Sequence, residues 1–151
     1  MADCVFCAQH QGRAPVVGGA IFQDELLYAH HFTERDGPSY LGHLMIESKR
    51  HIRGVEQATD REASALGALV ARLSRALVAC TGAERVYVES YGEVVPHLHV
   101  HLTARYPGLP PEYLRWNATA WPEAPRGGPE DIAALAARLR EALSGSAAAE
   151  S

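Results

Sequence analysis

"VVPHLHVHLTARYPG", residues 94–108, sets His97, His99 and His101 in strict alternation with Leu98, Val100 and Leu102. Alternation with period two reads as a strand with one face in the core. Leu98, Val100 and Leu102 are expected to point inward, and the three imidazoles to line the opposite face. Residues two apart on a strand are separated by about 6.5–7 Å, so the outer two histidines stand about 13 Å apart at the backbone. Zinc–nitrogen bonds measure about 2.0–2.1 Å. Three imidazoles at that spread share one ion only if the strand bends. The expectation is a division of labour: one histidine toward a metal, one for chemistry, one tuning its neighbour.

Working outward, "ERVYVESY" (84–91) also alternates, and Gly92 lies between it and the histidines, which predicts an antiparallel pair. "GHLMIES" (42–48) is a third strand. "GGAIFQDELLYAHHF" (18–32) carries two short apolar runs, Ala20–Phe22 and Leu26–Ala29, around Asp24 and Glu25, and reads as a hairpin. Residues 59–79 form the clearest helix: Thr59 and Glu62 make a capping box, Leu66, Leu69, Val70, Leu73 and Leu77 recur at helical spacing, and Gly82 ends it. Prolines crowd residues 106–128, a loop-rich segment with one short helix expected. Pro129 opens a last helix to about residue 143, with Ile132, Leu135, Leu139 and Leu143 on one face. This is an α+β layout with an antiparallel sheet. It fits one domain over residues 1–144 and a flexible C-terminal tail over 145–151.

The chain has 151 residues, 47% hydrophobic and 21% charged, with a formal net charge of −4. Its pI of about 6.0 argues against a nucleic-acid-binding surface, which wants a basic face, but not against a small nucleotide. No uninterrupted apolar run reaches the length of a membrane span, and the N-terminus has no secretory pattern, so a cytoplasmic protein without a membrane partner is expected. Three cysteines, Cys4, Cys7 and Cys80, argue against a disulfide framework. Cys4 and Cys7 have the spacing of two zinc ligands. A redox pair is the rival reading, weakened by the lack of a βαβ context; two unliganded cysteines are the plain one. Cys80 reads as a small core residue.

"HLHVHL" resembles the histidine triad (HIT) signature. "GHLMIESKRHI" (42–52) is similar to that family's Gly-His strand and following histidine, with Ser48 where proline is usual. "CVFC" resembles the start of many bacterial members, and "HLTARYPG" the end of the motif, with Ala104 in place of proline. These matches lie between residues 4 and 108. The resemblance implies a five-stranded antiparallel sheet with a long helix packed on it, a homodimer, and a nucleotide, adenine or another purine, bound by its phosphate at the triad. Members transfer or hydrolyse nucleotidyl groups from phosphoramidates, dinucleoside polyphosphates or related phosphoanhydrides.

Carried over residue by residue, His99 is the nucleophile and His101 contacts the phosphate, with backbone N–H groups around Val95 to His99 holding phosphoryl oxygens. Zinc-bearing members imply Cys4, Cys7, His51 and His97 as ligands, a closed set and therefore a structural zinc. Gly92-Glu93 stands where members have Gly-Gln, and Ser90 is the candidate for a missing polar contact, so Ser90, Gly92 and Glu93 join His99 and His101 as substrate-binding residues. A carboxylate repels phosphate, so Glu93 either turns away or meets a cation on the leaving group. His43 reads as a strand support. His30 and His31 lie on the strand leading toward the ribose site, and Glu34 and Asp36 as loop charges beyond it. Arg105 reads as meeting either a phosphate or a carboxylate, the latter as a structural ion pair. Tyr91, Tyr106, Trp116 and Trp121 either pack the proline-rich segment or line a pocket. The rivals to an enzyme are a nucleotide- or partner-binding module with little catalysis, and a zinc buffer.

Overall fold

The computed structural model describes residues 4–149. Along the chain run helix α1 (Val5–His10), strands β1 (Phe22–Gln23), β2 (Leu27–His31), β3 (Ser39–Tyr40) and β4 (His43–Ser48), helix α2 (Asp60–Thr81), strands β5 (Arg85–Glu89), β6 (His99–Arg105) and β7 (Arg126–Gly127), and helix α3 (Pro129–Ala149). Five strands form one antiparallel sheet in the order β1-β2-β4-β6-β5; β3 and β7 make a separate two-stranded ribbon.

The alternation does what it predicted on β6. Val100 and Leu102 join Leu44, Ile46 and Ala29 on the face that receives Leu69, Leu73 and Leu77 of α2 and Leu135, Leu139 and Leu143 of α3. By length and composition α2 could cross a membrane, but its leucine stripe packs on the sheet. Its capping box is formed, Thr59 accepting from the Glu62 N–H, and Gly82 closes it in the left-handed conformation. The far face of the sheet carries the polar set. Register places Tyr28, Glu47 and His99 in one row and His30, Met45 and His101 in the next.

Four local expectations change. His97 and Leu98 precede β6, because the His97 N–H donates to Val95 O and the Leu98 N–H to Ile52 O, which turns the chain before the strand begins. Those two N–H groups are therefore spent and do not face a ligand. The proline-rich segment holds two short 3₁₀ turns, Pro111–Tyr113 and Arg115–Ala120, where one helix was expected. α3 continues past residue 143 to Ala149, its Ala- and Ser-rich end carrying no helix breaker but Gly145. A six-residue helix, α1, forms at the cysteine pair, where no periodicity announces one.

Gly42 immediately precedes β4 with φ +94, and a Cβ there would stand 2.9 Å from the Ala104 Cβ and 3.2 Å from the Tyr106 hydroxyl. Gly42→Ala is therefore expected to lower stability by about 3 kcal/mol, read as a shift in denaturant midpoint at unchanged slope.

Candidate functional site

The turn before β6 buries His97 completely. Its Nε2–H donates to Ser48 O at 2.6 Å, so the lone pair lies on Nδ1. That Nδ1 is 3.3 Å from Cys4 Sγ, 3.7 Å from Cys7 Sγ and 3.1 Å from His51 Nδ1. Cys7 Sγ is 3.4 Å from His51 Nδ1. A tetrahedral zinc with ordinary bond lengths separates two nitrogens by about 3.3 Å and sulfur from nitrogen by about 3.6 Å. The four donors lie within 4.8 Å of one another and match that geometry. Burial, then the adjacent Cys4, pushes the Cys7 thiol up, and burial pushes His97 down. The imidazole is thus ready as a neutral ligand, and the thiols give up their protons as a cation enters.

His99 comes next on the strand. Its Nδ1–H donates to His97 O at 2.7 Å. The Nε2 lone pair is left free, which is the tautomer a nucleophile needs. Phe6 of α1 packs against this ring at 4.9 Å between centroids. The Cys–His cluster and the His99 tautomer are therefore coupled through one residue, His97, whose ring joins the cluster and whose carbonyl orients His99.

His101 Nδ1 lies 2.9 Å from His43 Nε2. Burial, with His101 beside it, pushes His43 down to about 3, and burial, with His99 beside it, pushes His101 down to about 4. Both rings are neutral near pH 7 and share one proton. His43 Nδ1 is buried with no partner. A buried lone pair is a smaller penalty than a buried orphan N–H. The proton of His43 therefore sits on Nε2 and is donated to His101 Nδ1, leaving His101 Nε2–H as a donor for a ligand oxygen. His43 is more than a strand support.

His31 is fully buried. Its Nδ1–H donates to Phe32 O, and its Nε2 accepts from the Gly42 N–H at 3.0 Å. Burial holds this ring down to about 4 from 6.5. The unfolded chain takes up a proton in that window and the folded chain does not, so stability falls as pH drops from about 6.5 to about 4. The loss expected from His31 is about 3 kcal/mol. Urea midpoints of zinc-free protein at pH 7 and pH 4.5 check it, with a smaller drop in His31→Asn.

His99 and His101 open into a cavity of about 810 Å³ whose walls include Phe6, Gln9, His30, Gly92 and Glu93. Ser90 is not among its lining residues; its hydroxyl donates to His99 O at 2.7 Å, supporting the strand. Glu34 borders the cavity from the loop after β2. Across His101 lies a second cavity of about 490 Å³, lined by His43, Thr103, Glu89 and Trp116, with Tyr91 shared between the two. Trp121 and Tyr106 pack the core. Arg105 pairs with Glu84 at 3.3 Å.

The sequence reading passed over Glu47 and His10. Glu47 is fully buried on β4, accepting from His10 Nε2 and His30 Nε2 at 2.6 Å each. Burial alone would raise this carboxyl; the hydrogen bonds from His10 and His30 hold it below its usual range. The missed signal was a glutamate inside the apolar run "HLMIES", since a charge in a central strand requires a partner.

An antiparallel sheet backed by two helices, with one histidine in a Cys–His cluster and two facing a cavity, defines the histidine-triad class of α+β proteins. The chain belongs to the HIT domain family, whose model matches residues 18–108. Family membership points to nucleotide binding and to hydrolase or transferase chemistry. None of the curated protein sequences compared with the chain matches it. Among solved structures, a Zn-bound histidine triad family protein from Mycobacterium smegmatis is 23% identical, with 98% of each chain covered and a TM-score of 0.72. A hypothetical histidine triad nucleotide-binding protein from Sulfolobus tokodaii is 19% identical, with 94% of this chain and 93% of that one covered and a TM-score of 0.73. A Hit-like protein from Bartonella henselae is 18% identical over 94% of this chain and 98% of that one, with a TM-score of 0.71. These likenesses establish the fold.

Proposed function

We propose that the protein is a nucleotidyl hydrolase or transferase acting at the α-phosphorus of a nucleoside phosphoramidate, a dinucleoside polyphosphate or a related compound. The observation that carries this reading is the His99 tautomer: Nδ1–H is held by His97 O at 2.7 Å and Nε2 is free at the cavity. His99 Nε2 attacks phosphorus, a P–N bond forms, and the P–N or P–O bond to the leaving group breaks. The leaving group takes a proton from solvent as it departs, and the water that attacks in the second step returns one. Water then attacks the nucleotidyl-histidine, its P–N bond breaks, and a nucleoside monophosphate leaves. His101 Nε2–H, polarised by His43, donates to a phosphoryl oxygen and is strongest where charge develops.

The larger cavity takes the nucleoside, adenine or another purine, against its apolar walls, with Gly92 at the phosphate. The smaller one takes the leaving group, which places Glu89 where a cationic group would be favoured, while Glu93 borders the larger cavity. Cys4, Cys7, His51 and His97 hold one zinc. Four protein donors would leave a tetrahedral zinc no open position, so its role would be structural, with Cys4 and Cys7 tying α1 to the turn that carries His97. The active form is a homodimer, as the family resemblance implies.

Intact-mass spectrometry after brief mixing with adenosine 5′-phosphoramidate tests this. One AMP on wild type and none on His99→Ala is the expected result. Release of AMP without any adduct on His99 would overturn the mechanism, and nucleotide binding without turnover across phosphoramidates and dinucleoside polyphosphates would favour a binding module.

A further inference from the structure

Helix α1 has an attachment that does not involve the cysteine cluster. The helix has only six residues, far too few to persist by itself in water, so its place over β6 depends on what ties it down. His10, on its last turn, donates from Nε2 to Glu47 Oε2, and His30 of β2 donates from Nε2 to Glu47 Oε1, both at 2.6 Å. His30 also directs Nδ1 at His31 O, 2.9 Å away. Both of its ring nitrogens face acceptors, which fixes the ring between the β2 backbone and the carboxylate. His10 has a buried Nδ1 without a partner, so its one hydrogen bond is the one that Nε2 makes to Glu47. The buried carboxylate is therefore held by two imidazole donors, His30 from β2 and His10 from α1. Such charge-assisted bonds are the strong ones, and breaking one end leaves a buried group uncompensated.

The placement of this trio matters for the site. Glu47 is the register partner of His99. The helix it grips lays Phe6 on the His99 ring and supplies Val5, Phe6 and Gln9 to the wall of the larger cavity. We propose that Glu47 is a positioning residue: through His10, and independently of any metal, it clamps α1 over His99 and shapes the nucleotide cavity. The docking follows from the geometry alone; only its effect on substrate rests on the function proposed above.

The test is hydrogen exchange by mass spectrometry on the full chain, zinc-loaded and zinc-stripped, for wild type, Glu47→Gln and His10→Phe. The reporter is the α1 peptide, whose Ala8 and Gln11 amides bond to Cys4 O and Cys7 O. Stripped wild type is expected to keep α1 protected. Both stripped variants are expected to lose protection by about 10- to 100-fold, with α2 unchanged. Zinc-loaded variants are expected to show KM for adenosine 5′-phosphoramidate raised about tenfold and kcat changed by less than about threefold. A purely structural role would lower the active fraction, counted by AMP adduct, and leave KM alone. If Glu47→Gln fails to fold, His10→Phe carries the test, since it keeps a ring against both Tyr28 and His97 and removes the donor to Glu47. Equal α1 exchange in stripped wild type and variants, or complete loss already in stripped wild type, would overturn the clamp. Loosened α1 with unchanged KM would overturn the positioning role. A wild type without turnover would count against the proposed function, and the exchange data would still decide the clamp.

Discussion

His99→Ala is expected to fold, to bind metal as wild type does, and to lose turnover by at least about 10⁴-fold. The size follows from what the ring supplies. No other side chain on this face presents a free imidazole lone pair at the cavity in the same row. His101 uses Nδ1 to accept from His43, and His97 is turned into the Cys–His cluster. His30 has both nitrogens committed. Removing the nucleophile therefore leaves only phosphate binding and the donor on His101, and the reaction reverts to direct attack by water. The buried volume lost is one imidazole next to Phe6, so the fold stands on its separate core of α2, α3 and the sheet. The check is single-turnover kinetics beside zinc content. A variant that turned over as fast as wild type would remove His99 from the mechanism. One that lost its zinc as well would place the ring in the metal site's support.

The second large effect is expected at the cluster. Cys7→Ser replaces a buried thiolate by a hydroxyl that binds zinc weakly. Zinc content should fall from one per chain to a small fraction, measured by native mass spectrometry. Loss of a structural metal is among the few single changes that cost about 4 kcal/mol or more, or roughly 12 °C in Tm for a chain of this size. The core should survive, because none of the four ligands belongs to it. Turnover should fall by about 10-fold or more, since the His97 carbonyl that holds the His99 tautomer loses its anchor. Zinc lost with kcat intact would show that the turn keeps its shape unaided. Zinc that exchanges freely with a chelator in folded wild type would favour a metal-handling role over a structural one.

Glu93 and Ser90 differ in how well their positions matched their expected roles. Glu93 borders the cavity; Ser90 sits beneath the strand, bonded to the His99 carbonyl. Both lie past the end of the edge strand β5, where strand alternation no longer sets a face and packing decides which partner a side chain finds. The same limit applies to His43. Its strand position was readable from "GHLMIES", whereas its bond to His101 depends on the register between β4 and β6, which joins residues 58 apart.

The sequence by itself determined the α+β plan, because each of its signals is local. Alternation over 97–102 selects the buried face of β6. Thr59 with Glu62 starts α2, Gly82 stops it, and Pro129 opens α3. The donor set at Cys4, Cys7, His51 and His97 was legible through the resemblance, and its geometry was not. Only the tertiary structure decided that His97 leaves the strand, since that turn is made by bonds to Val95 and Ile52. It alone joined His10, Glu47 and His30, residues from a helix and two strands. A buried carboxylate announces that it needs partners. Which imidazoles come within 2.6 Å of it is settled by how α1 packs on the sheet, and no local pattern encodes that packing.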